Sequence, residues 1–520
     1  MAFIKKGIVI FNGFERFFWG FSHFDLLKTF IIFFLYLSLM QDKNKIGILI
    51  GIFFTFIFIM FFISPMDSDL GWHLKCGENF WVSGSFCGEN FFSTFLSNYT
   101  WPNHAWIYQA IIFFIFSSFG FFGLSLLNSI ILTGSFALLF FSVKNREFEK
   151  IFFILLIMIF GWGIFSLGLR SQIFGILFFA FEIFLFFKYA ENIKVLYLFP
   201  VLFLIWANFH GSVLIGLLIF GIFLFRETIF KKINISKSLL IFFLSFLVIL
   251  INPFGFEIYF DSFRHFLFSD IGWTIAEWTP ASFWTSFCIV LITIYILYES
   301  FKNYKNYYKF LSLFILIFSY VSINSRRNIP FYFMVLFFVY FSLENRTFVY
   351  NFFNIIYIKK IFGILVIFFL LISILFYLSP NIDASFNYEK WCSRSYKFSL
   401  NYPCKGAELL SSKPSGNVFN AFEWGGFLIW KTPKHKVFID GRMSAWETPT
   451  GKGPYLTYLE IIQAKPGWNR TLTEYNISYL VIGSGTFMDL EIVYNSKKYP
   501  WNEIYRDEFS VVYEKRFNDL

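Results

Sequence analysis

The stretch IGILIGIFFTFIFIMFFISPMDSDLGWH, residues 46–73, decides the fold class of this chain. Residues 46–64 contain no charged side chain, and a helix of about 20 apolar residues is long enough to cross a membrane. Two carboxylates, Asp67 and Asp69, follow directly, and His73 comes four residues after the second one. The stretch therefore predicts a membrane crossing that ends in a polar loop at one membrane face.

The composition extends this interpretation to most of the chain. Hydrophobic residues fill 57% of the 520 positions and charged residues 15%, against about 45–50% and about 25% in soluble proteins. Phe alone occupies 85 positions. A soluble fold could not bury that much apolar surface, so lipid must surround much of it. The composition therefore excludes soluble, disordered and disulfide-scaffold proteins and predicts an α-helical polytopic membrane protein.

The charged residues divide the chain in two. From Pro380 onward lie 17 of its 43 basic and 15 of its 33 acidic residues. We therefore predict a membrane domain at 1–379, with a polar outer loop at 65–105, and a soluble α/β domain of ordinary size at 380–520. The second domain has predicted strands at 418–430, 436–440, 478–484 and 509–516, and predicted helices near 404–411 and 454–464.

The connecting loops predict the topology. Crossings are predicted at 46–64, 121–143, 151–167, 172–188, 195–208, 211–225, 238–251, 285–299, 308–323, 329–343 and 361–378, while 24–40 and 106–118 stay open. Basic loops are cytoplasmic by the positive-inside rule; they are 41–45, 144–150, 188–194, 226–237, 301–309 and 344–360. The outer loops are then 65–105, 169–172, 208–211, 252–284 and 324–328. This alternation holds if 106–118 does not cross, and it puts the C-terminal domain outside the plasma membrane.

An unusual set of polar residues gathers in the outer loops. Ionisable groups at the ends of apolar helices are costly unless they are paired or hydrated, so such a set at one face indicates a functional site. Its members are Asp67, Asp69, His73, His104, Arg170, Gln172, Asn208, His210, Glu277, Arg326 and Arg327. The alternative for each single residue is a side chain that only reaches to water or structures its loop.

The two carboxylates have the strongest pattern. If a helix begins near Asp69, His73 lies one turn along on the same face, and the group suits acid/base catalysis or a divalent metal. The alternative is that Asp67 or Asp69 caps the helix. No cofactor is otherwise predicted, and the five cysteines lack metal-ligand spacing. Cys76 with Cys87 and Cys392 with Cys404 form two local disulfides or stay free thiols.

These motifs resemble the GT-C superfamily of polytopic membrane glycosyltransferases, which use lipid-phosphate sugars. In its protein O-mannosyltransferase and aminoarabinose-transferase branch, an Asp opens the loop helix and a Gly follows about fifteen residues later; Asp69, His73 and Gly84 match this spacing. Leu70 stands where that branch has Glu. The segment 103–106, Asn-His-Ala-Trp, is similar to the branch's return from loop to helix.

The whole chain is most similar to a group of uncharacterised prokaryotic membrane proteins of this type. The shared motifs are D-x-D-x-x-W-H at 67–73, N-x-H-G at 208–211, R-N-x-P at 327–330, W-G-G at 424–426 and D-G-R at 440–442. Many members have Glu where Ala105 stands. With Leu70, this departure leaves open a catalytically silent scaffold of the same fold.

The resemblance implies an inverting hexosyl or pentosyl transferase of the cell envelope, with a polyprenyl-phosphate sugar as donor and a glycan, lipid or protein as acceptor. The predicted catalytic residues are Asp69, Asp67 and His73, and the predicted phosphate-binding residues are Arg326, Arg327 and Arg170. The predicted acceptor contacts are His104, His210, Asn208, Glu277, Asp440 and Arg442. For Glu277-Trp278 the alternative is an interfacial anchor, and for Asp440-Gly441-Arg442 it is an Asx turn with a salt-bridged Arg.

A transporter or flippase of lipid-linked or anionic substrates is the leading alternative function. Transporters place ionisable groups near the middle of the membrane, often in internal repeats, whereas the polar residues here crowd one face. The net charge of +10 lies largely in short cytoplasmic loops, so membrane lipids are the predicted partners and nucleic acid is not.

Overall fold

The computed structural model describes residues 43–260, 277–302, 306–343, 356–397, 400–446 and 453–516. The predicted element at 24–40 lies outside these residues. Within them the membrane domain is helical, and the C-terminal domain contains a five-stranded sheet. The helices of the membrane domain are α1 Lys43–Met60, α2 Leu70–Ser83, α3 Trp106–Ser142, α4 Glu147–Phe165, α5 Ser171–Tyr189, α6 Leu198–Ala207, α7 Val213–Ile229, α8 Ile235–Val248, α9 Phe283–Lys302, α10 Asn306–Asn324, α11 Ile329–Ser342 and α12 Ile356–Ile372.

Each of the eleven predicted crossings contains a helix. In the described part of the chain, α3, α4, α5 and α9 are each long and apolar enough to cross a membrane. The other apolar helices are shorter than the roughly 20 residues that a perpendicular crossing needs. The fold is therefore that of a helical membrane protein, while the number of crossings stays a prediction.

The doubtful segment 106–118 is the first half of α3. The helix is interrupted at Gly120, whose φ of 58° and ψ of −150° are readily adopted by glycine alone. At the start of α3, Trp106 Nε1 donates to Asn208 Oδ1 at 2.7 Å. Near the kink, Phe116 packs edge-on against Trp430 of the C-terminal domain. Both ends of this half-helix thus lie on the side of the outer loops, as the predicted alternation requires.

The last membrane-domain helix runs on past the predicted domain boundary. After α12 the chain continues through a π-helical turn, Ser373–Leu378, into α13, Ser379–Phe386. The predicted boundary at Pro380 thus lies within a helical run, and the division into two domains stays a prediction; the predicted C-terminal domain continues from Asn387. Its elements are α14 Tyr388–Lys397, α15 Cys404–Ser412, β1 Asn417–Asn420, α16 Gly425–Lys431, β2 Lys436–Val437, α17 Pro454–Ile462, α18 Trp468–Glu474, β3 Ile477–Gly483, α19 Phe487–Tyr494, β4 Trp501–Arg506 and β5 Ser510–Lys515.

The sheet has the strand order β2-β1-β3-β5-β4, with β1 parallel to β2 and β3, and β5 antiparallel to β3 and β4. The predicted strands at 478–484 and 509–516 and the predicted helices near 404 and 454 are confirmed. The predicted strand 418–430 is wrong beyond Asn420, because a 3₁₀ turn and the buried helix α16 follow. An apolar run alone does not distinguish a strand from a buried helix. Strand β2 is shorter than predicted, and β4 was not predicted.

The outer loop joins the C-terminal domain to the membrane domain. Thr94 N–H donates to Val437 O at 2.9 Å, and Val437 N–H donates to Phe92 O at 3.1 Å, so the loop continues the sheet beyond β2. Of the two states left open for these cysteines, the structure has the disulfides: Cys76–Cys87 ties α2 to this loop, and Cys392–Cys404 ties α14 to α15. The outer loop and the sheet are therefore connected to each other by backbone hydrogen bonds, and the Cys76–Cys87 disulfide connects the loop to α2.

Candidate active site

Helix α2 positions the two strongest candidates. It begins after Asp69 and ends at Gly84, whose φ of +69° is the left-handed conformation that favours glycine at a helix end. As predicted, His73 lies one turn after Asp69, and its N–H donates to Asp69 O at 3.2 Å. The Asp69 side chain makes no capping hydrogen bond but accepts one from Trp72 Nε1 at 3.0 Å. The capping alternative is therefore wrong for Asp69.

The Asp69 carboxyl is partly exposed and electrostatically unusual. Burial and the nearby carboxylates of Asp67 and Asp440 raise its pKa to about 7, against the opposing effects of Trp72 Nε1 and Arg170. A carboxyl with this pKa is half-ionised near neutral pH and still strong enough to remove a proton, which is the range that suits a general base.

Asp67 is held by a charge pair. It is buried, and its Oδ1 lies 3.2 Å from Arg170 Nε. Arg170 also pairs with Glu277. Burial by itself raises the pKa of Glu277, but Arg170 and Arg327 outweigh it and lower that pKa. The guanidinium of Arg170 is thus shared between two carboxylates, and Asp67 is less available for chemistry than Asp69.

The three predicted phosphate-binding arginines differ in their partners. Arg327 Nη2 donates to His210 Nε2 at 3.1 Å, and its guanidinium lies 5.0 Å from the centre of the Trp278 ring. No carboxylate lies within ion-pair distance of Arg327 in the described part of the chain. Arg326 is exposed, donates to Pro280 O at 3.0 Å and is not joined to the cluster. Of the two arginines that belong to the cluster, Arg327 therefore has more donor capacity left for an anion than Arg170.

The buried His73 is held in its neutral form. Its Nδ1 lies 3.0 Å from Gln109 Nε2, and Gln109 is itself paired with Asn103 through two hydrogen bonds of 2.7 and 2.8 Å. Burial lowers the pKa of His73 well below its usual value, and nearby positive charge, above all Arg170, lowers it further. Its bond to Gln109 joins the start of α2 to the start of α3, and its catalytic role stays a prediction.

His210 and His104 lie side by side with ring centres 6.2 Å apart. Because a guanidinium can only donate, His210 Nε2 accepts from Arg327. His210 Nδ1 lies 2.7 Å from Ser212 Oγ and 3.0 Å from the Ser212 backbone nitrogen. Burial and the charge of Arg327 lower the pKa of His210. His210 therefore acts on Arg327 as a neutral acceptor that fixes the guanidinium.

Two predicted acceptor contacts are committed to structural bonds. Asn208 accepts from Trp106 and donates to the carbonyl oxygens of Leu204 and Ile251 at 2.9 and 3.0 Å. Asp440 is fully buried and accepts from Arg442 N–H, Nε and Nη2 at 3.1, 2.7 and 2.7 Å. The 440–442 segment is therefore the Asx turn with a salt-bridged Arg that was its alternative interpretation.

The described residues do not form a metal site with three protein ligands. Within the described ranges no three His, Cys, Asp or Glu side chains are grouped so that they could hold one. Of the two carboxylates considered for metal binding, Asp67 faces the guanidinium of Arg170 and Asp69 accepts from Trp72. We derive no reaction step through a metal.

Sequence reasoning gave no role to Gln109 or Trp72 and considered Trp278 only together with Glu277. Gln109 orients His73, Trp72 donates to Asp69, and Trp278 stacks under Arg327. Trp72 lies inside the D-x-D-x-x-W-H motif and Trp278 directly follows Glu277, so their positions carried a signal. Gln109 had no such signal, because only the packing of α3 against α2 brings it to His73.

Comparison with known proteins gives matches to solved structures. The archaeal oligosaccharyltransferase AglB from Archaeoglobus fulgidus, in complex with an inhibitory peptide and a dolichol-phosphate, has a TM-score of 0.54 at 11% identity, with 92% of this chain and 75% of that chain covered. The same oligosaccharyltransferase in its apo form has the same values. ArnT from Cupriavidus metallidurans, bound to undecaprenyl phosphate, has a TM-score of 0.51 at 10% identity, covering 91% of this chain and 98% of that chain. No family model and no curated protein matches the chain.

AglB and ArnT are both GT-C proteins, and at these identities the likeness concerns the fold. It extends over nine-tenths of the chain, including the helical membrane domain and part of the C-terminal domain. This chain therefore has a fold similar to that of AglB and ArnT, which agrees with the resemblance that its motifs indicated.

Proposed function

We propose that this protein is a membrane glycosyltransferase that transfers a sugar from a polyprenyl-phosphate donor to an acceptor at the outer membrane face. One observation carries the proposal. A partly exposed carboxyl with a pKa of about 7, Asp69, lies in the same cluster as Arg327, a guanidinium with no carboxylate partner in the described residues. A base and an anion-binding group in one cluster at the ends of apolar helices are what this reaction needs.

In the proposed reaction Asp69 takes the proton from the acceptor nucleophile as that atom attacks the anomeric carbon. The bond between the anomeric carbon and the phosphate oxygen breaks, and polyprenyl phosphate leaves with the electron pair. Arg327, fixed by His210 and Trp278, stabilises the charge that develops on the phosphate. Because the attack is a single displacement, the anomeric configuration inverts; hexosyl and pentosyl donors both suit it.

The structural neighbours support a lipid-linked donor. The AglB structure holds a dolichol-phosphate together with an inhibitory peptide, and the ArnT structure holds undecaprenyl phosphate. The shared fold makes a polyprenyl phosphate the donor class that we propose here, with a glycan, lipid or protein as acceptor. The apolar helices that end at the cluster supply a lipid-facing surface for the isoprenoid chain.

The contacts between loops support the proposed topology of eleven crossings. Asp67, Arg170, Glu277, His210 and Arg327, which are joined in one cluster, come from all five loops that were predicted to be outside. At the other end of the helices, Lys144 pairs with Glu191 at 2.9 Å, and both belong to loops predicted to be cytoplasmic. We propose a multi-pass plasma-membrane protein with its C-terminal domain on the outside.

Mass spectrometry of cell-surface glycans tests the function. A strain that lacks the gene should lose one sugar substituent, the wild-type gene should restore it, and Asp69→Asn should fail to restore it at equal protein level. The deleted strain should also accumulate the unused polyprenyl-phosphate sugar. An unchanged glycan profile together with an unchanged lipid pool would contradict the proposal.

One observation favours the transporter as the second candidate. Glu182 lies in the middle of α5, is fully buried, and neither carboxyl oxygen has a hydrogen-bond partner in the described structure. A buried ionisable residue within a membrane helix is by default a candidate functional group. If Glu182→Gln abolishes movement of a fluorescent polyprenyl phosphate across proteoliposomes while Asp69→Asn does not, transport is the better description.

A further inference from the structure

The backbone of the C-terminal domain packs directly against the backbone at the start of helix α2. A Cβ atom added to Gly71 would lie 1.9 Å from Gly426 O, and one added to Gly426 would lie 2.2 Å from Ser68 O. Only glycine permits such an approach. The domain is therefore seated directly on the N-terminal end of α2 and leaves no room for an inserted side chain.

The 440–442 turn of that domain touches the side chain of Asp69. A Cβ atom added to Gly441 would lie 2.0 Å from Asp69 Oδ1. The close approach at Gly71 and Gly426 places this turn directly against α2. Any side chain at position 441 must therefore displace the Asp69 carboxyl.

The turn itself is held rigidly. Asp440 binds Arg442 through both of its carboxylate oxygens, and Arg442 Nη2 also donates to Asn90 Oδ1 at 3.2 Å. The buried guanidinium lies 5.1 to 5.8 Å from the ring centres of four aromatic side chains; these are Phe92, Trp446, Trp101 and Trp72. Trp72 is the same side chain that donates to Asp69. The outer loop, α2 and the C-terminal domain thus enclose one guanidinium.

We propose that the 440–442 turn positions the Asp69 carboxyl for catalysis, with Gly441 as the residue in direct contact and the Asp440–Arg442 pair as its support. This inference rests on the proposed role of Asp69 as the general base. The C-terminal domain then forms one side of the active site, so the membrane domain alone has an incomplete site. Gly441 and Asp440 are positioning residues, since they act through Asp69.

The charge of Asp440 also affects the pKa of Asp69. The charged groups that face Asp69 are Asp67, Arg170, Arg327, Asp440 and Arg442. Of these, the Asp440 carboxylate is among the groups that raise the pKa of Asp69. Asp440→Asn removes one negative charge and leaves the charge of Arg442 unbalanced, and both changes lower that pKa.

Gly441→Ala is the first test, and Gly453→Ala is its matched control. Gly453 lies in the same domain, and a Cβ atom there would only reach ordinary contact with Trp446 O at 3.8 Å. We expect Gly441→Ala to lower kcat about 100-fold and to leave the KM for the polyprenyl-phosphate sugar within about twofold, because the donor-binding groups stay in place. Gly453→Ala should match wild type in both constants. A kcat for Gly441→Ala equal to that of Gly453→Ala would overturn the proposal.

A thermal-unfolding cycle tests the contact without any activity measurement. Gly441→Ala should lower the Tm when residue 69 is Asp, and should lower it much less in the Asp69→Ala background, where the carboxyl that the methyl group meets is gone. Equal losses in both backgrounds would show that the turn has only a structural role. Since this cycle needs no substrate, it separates failure of the contact from failure of the proposed function.

The pH profile of Asp440→Asn decides the matter if Gly441→Ala does not fold. Asn keeps the shape of Asp and the hydrogen bond from Arg442 N–H. We expect the acidic limb of the kcat/KM profile to lie near pH 7 in the wild type and at lower pH in Asp440→Asn, whereas a loss of folded protein alone would lower the plateau without moving the limb. An unmoved limb would overturn the proposal. If wild-type protein transfers no sugar at all, the proposed function fails, and the thermal cycle still reports on the contact.

Discussion

Asp69→Asn should make the protein less active and more stable. The amide keeps the size of the carboxylate and still accepts from Trp72 Nε1, so the fold around α2 stays unchanged. An amide cannot take the proton of the acceptor, and the loss of a general base typically lowers kcat by about 10²- to 10⁴-fold. Opposite signs for activity and stability are the signature of a group kept for its chemistry.

The gain in stability follows from the raised pKa. Asp69 titrates near 3.8 when unfolded and near 7 when folded. A raised folded-state pKa gives stability that is present below the unfolded value and is lost as the pH rises through the folded one. At pH 8 the ionised carboxyl therefore costs about 2–4 kcal/mol, where the lower value allows for solvent at this partly exposed group. Asn at position 69 avoids this cost.

The assay is thermal unfolding in detergent at pH 4 and pH 8, beside turnover of the same preparations. Asp69→Asn should exceed wild type in Tm at pH 8, and the difference should shrink at pH 4. Normal turnover by Asp69→Asn would refute the assignment. If Asp67→Asn is then inactive, the two roles are reversed; if both turn over normally, a transporter or silent scaffold becomes the better interpretation. A chelator added to each variant should have no effect.

Asp489→Asn is the matched control. Asp489 is buried in the C-terminal domain and accepts from Arg506 at 2.7 and 2.9 Å. Burial by itself raises the pKa of Asp489, but the bonds from Arg506 and Tyr513 outweigh it and lower that pKa. Its stability contribution is therefore present above the unfolded value and lost as the pH falls. The same Asp→Asn change should here lower stability by about 1.5–3 kcal/mol at pH 8 and leave turnover per folded molecule unchanged.

Two further predictions concern the donor and the topology. Arg327→Ala should lower kcat/KM for the polyprenyl-phosphate sugar about 10- to 100-fold through the loss of one charge-assisted contact, and Arg327→Lys should recover part of it. The neighbouring Arg326→Ala should have little effect on kcat/KM. Equal losses in Arg326→Ala and Arg327→Ala would contradict the assignment of Arg327 to the phosphate. Cysteines introduced at Ser97 and Ser415 should react with an impermeant thiol reagent in intact cells, and one at Lys232 should not. The inverse labelling pattern would place the site in the cytoplasm.

The elements that depend on local sequence pattern could be predicted from the sequence. Apolar length marked the membrane helices, and the position of Asp69 marked the start of α2. Alternation of basic loops predicted which loops would meet, and the cluster joins residues of exactly that set of loops. These features follow from hydrophobicity and helix geometry, which are properties of neighbouring residues.

The sequence could not show which charges pair. Arg170 and Arg327 are the same residue type, and each lies in a predicted outer loop. In the structure, however, Arg170 lies between two carboxylates, whereas Arg327 lies against an imidazole and an indole ring. A shift of a few ångströms in a poorly solvated site changes such energies by several kcal/mol, and only the packing of α5 and α11 fixes those distances. For the same reason Gly441 looked like part of an ordinary turn until its contact with Asp69 was known.

The arrangement of charge links the two halves of the proposed reaction. Before the reaction, the carboxylates of Asp67 and Asp440 keep the pKa of Asp69 high, and the positive charge of Arg170 opposes them. As the bond to the donor breaks, negative charge develops on the phosphate beside Arg327, and a nearby negative charge raises the pKa of a carboxyl further. The affinity of Asp69 for the acceptor proton therefore increases as the leaving group departs. Proton transfer and bond cleavage assist each other because base and phosphate site share one poorly solvated cluster.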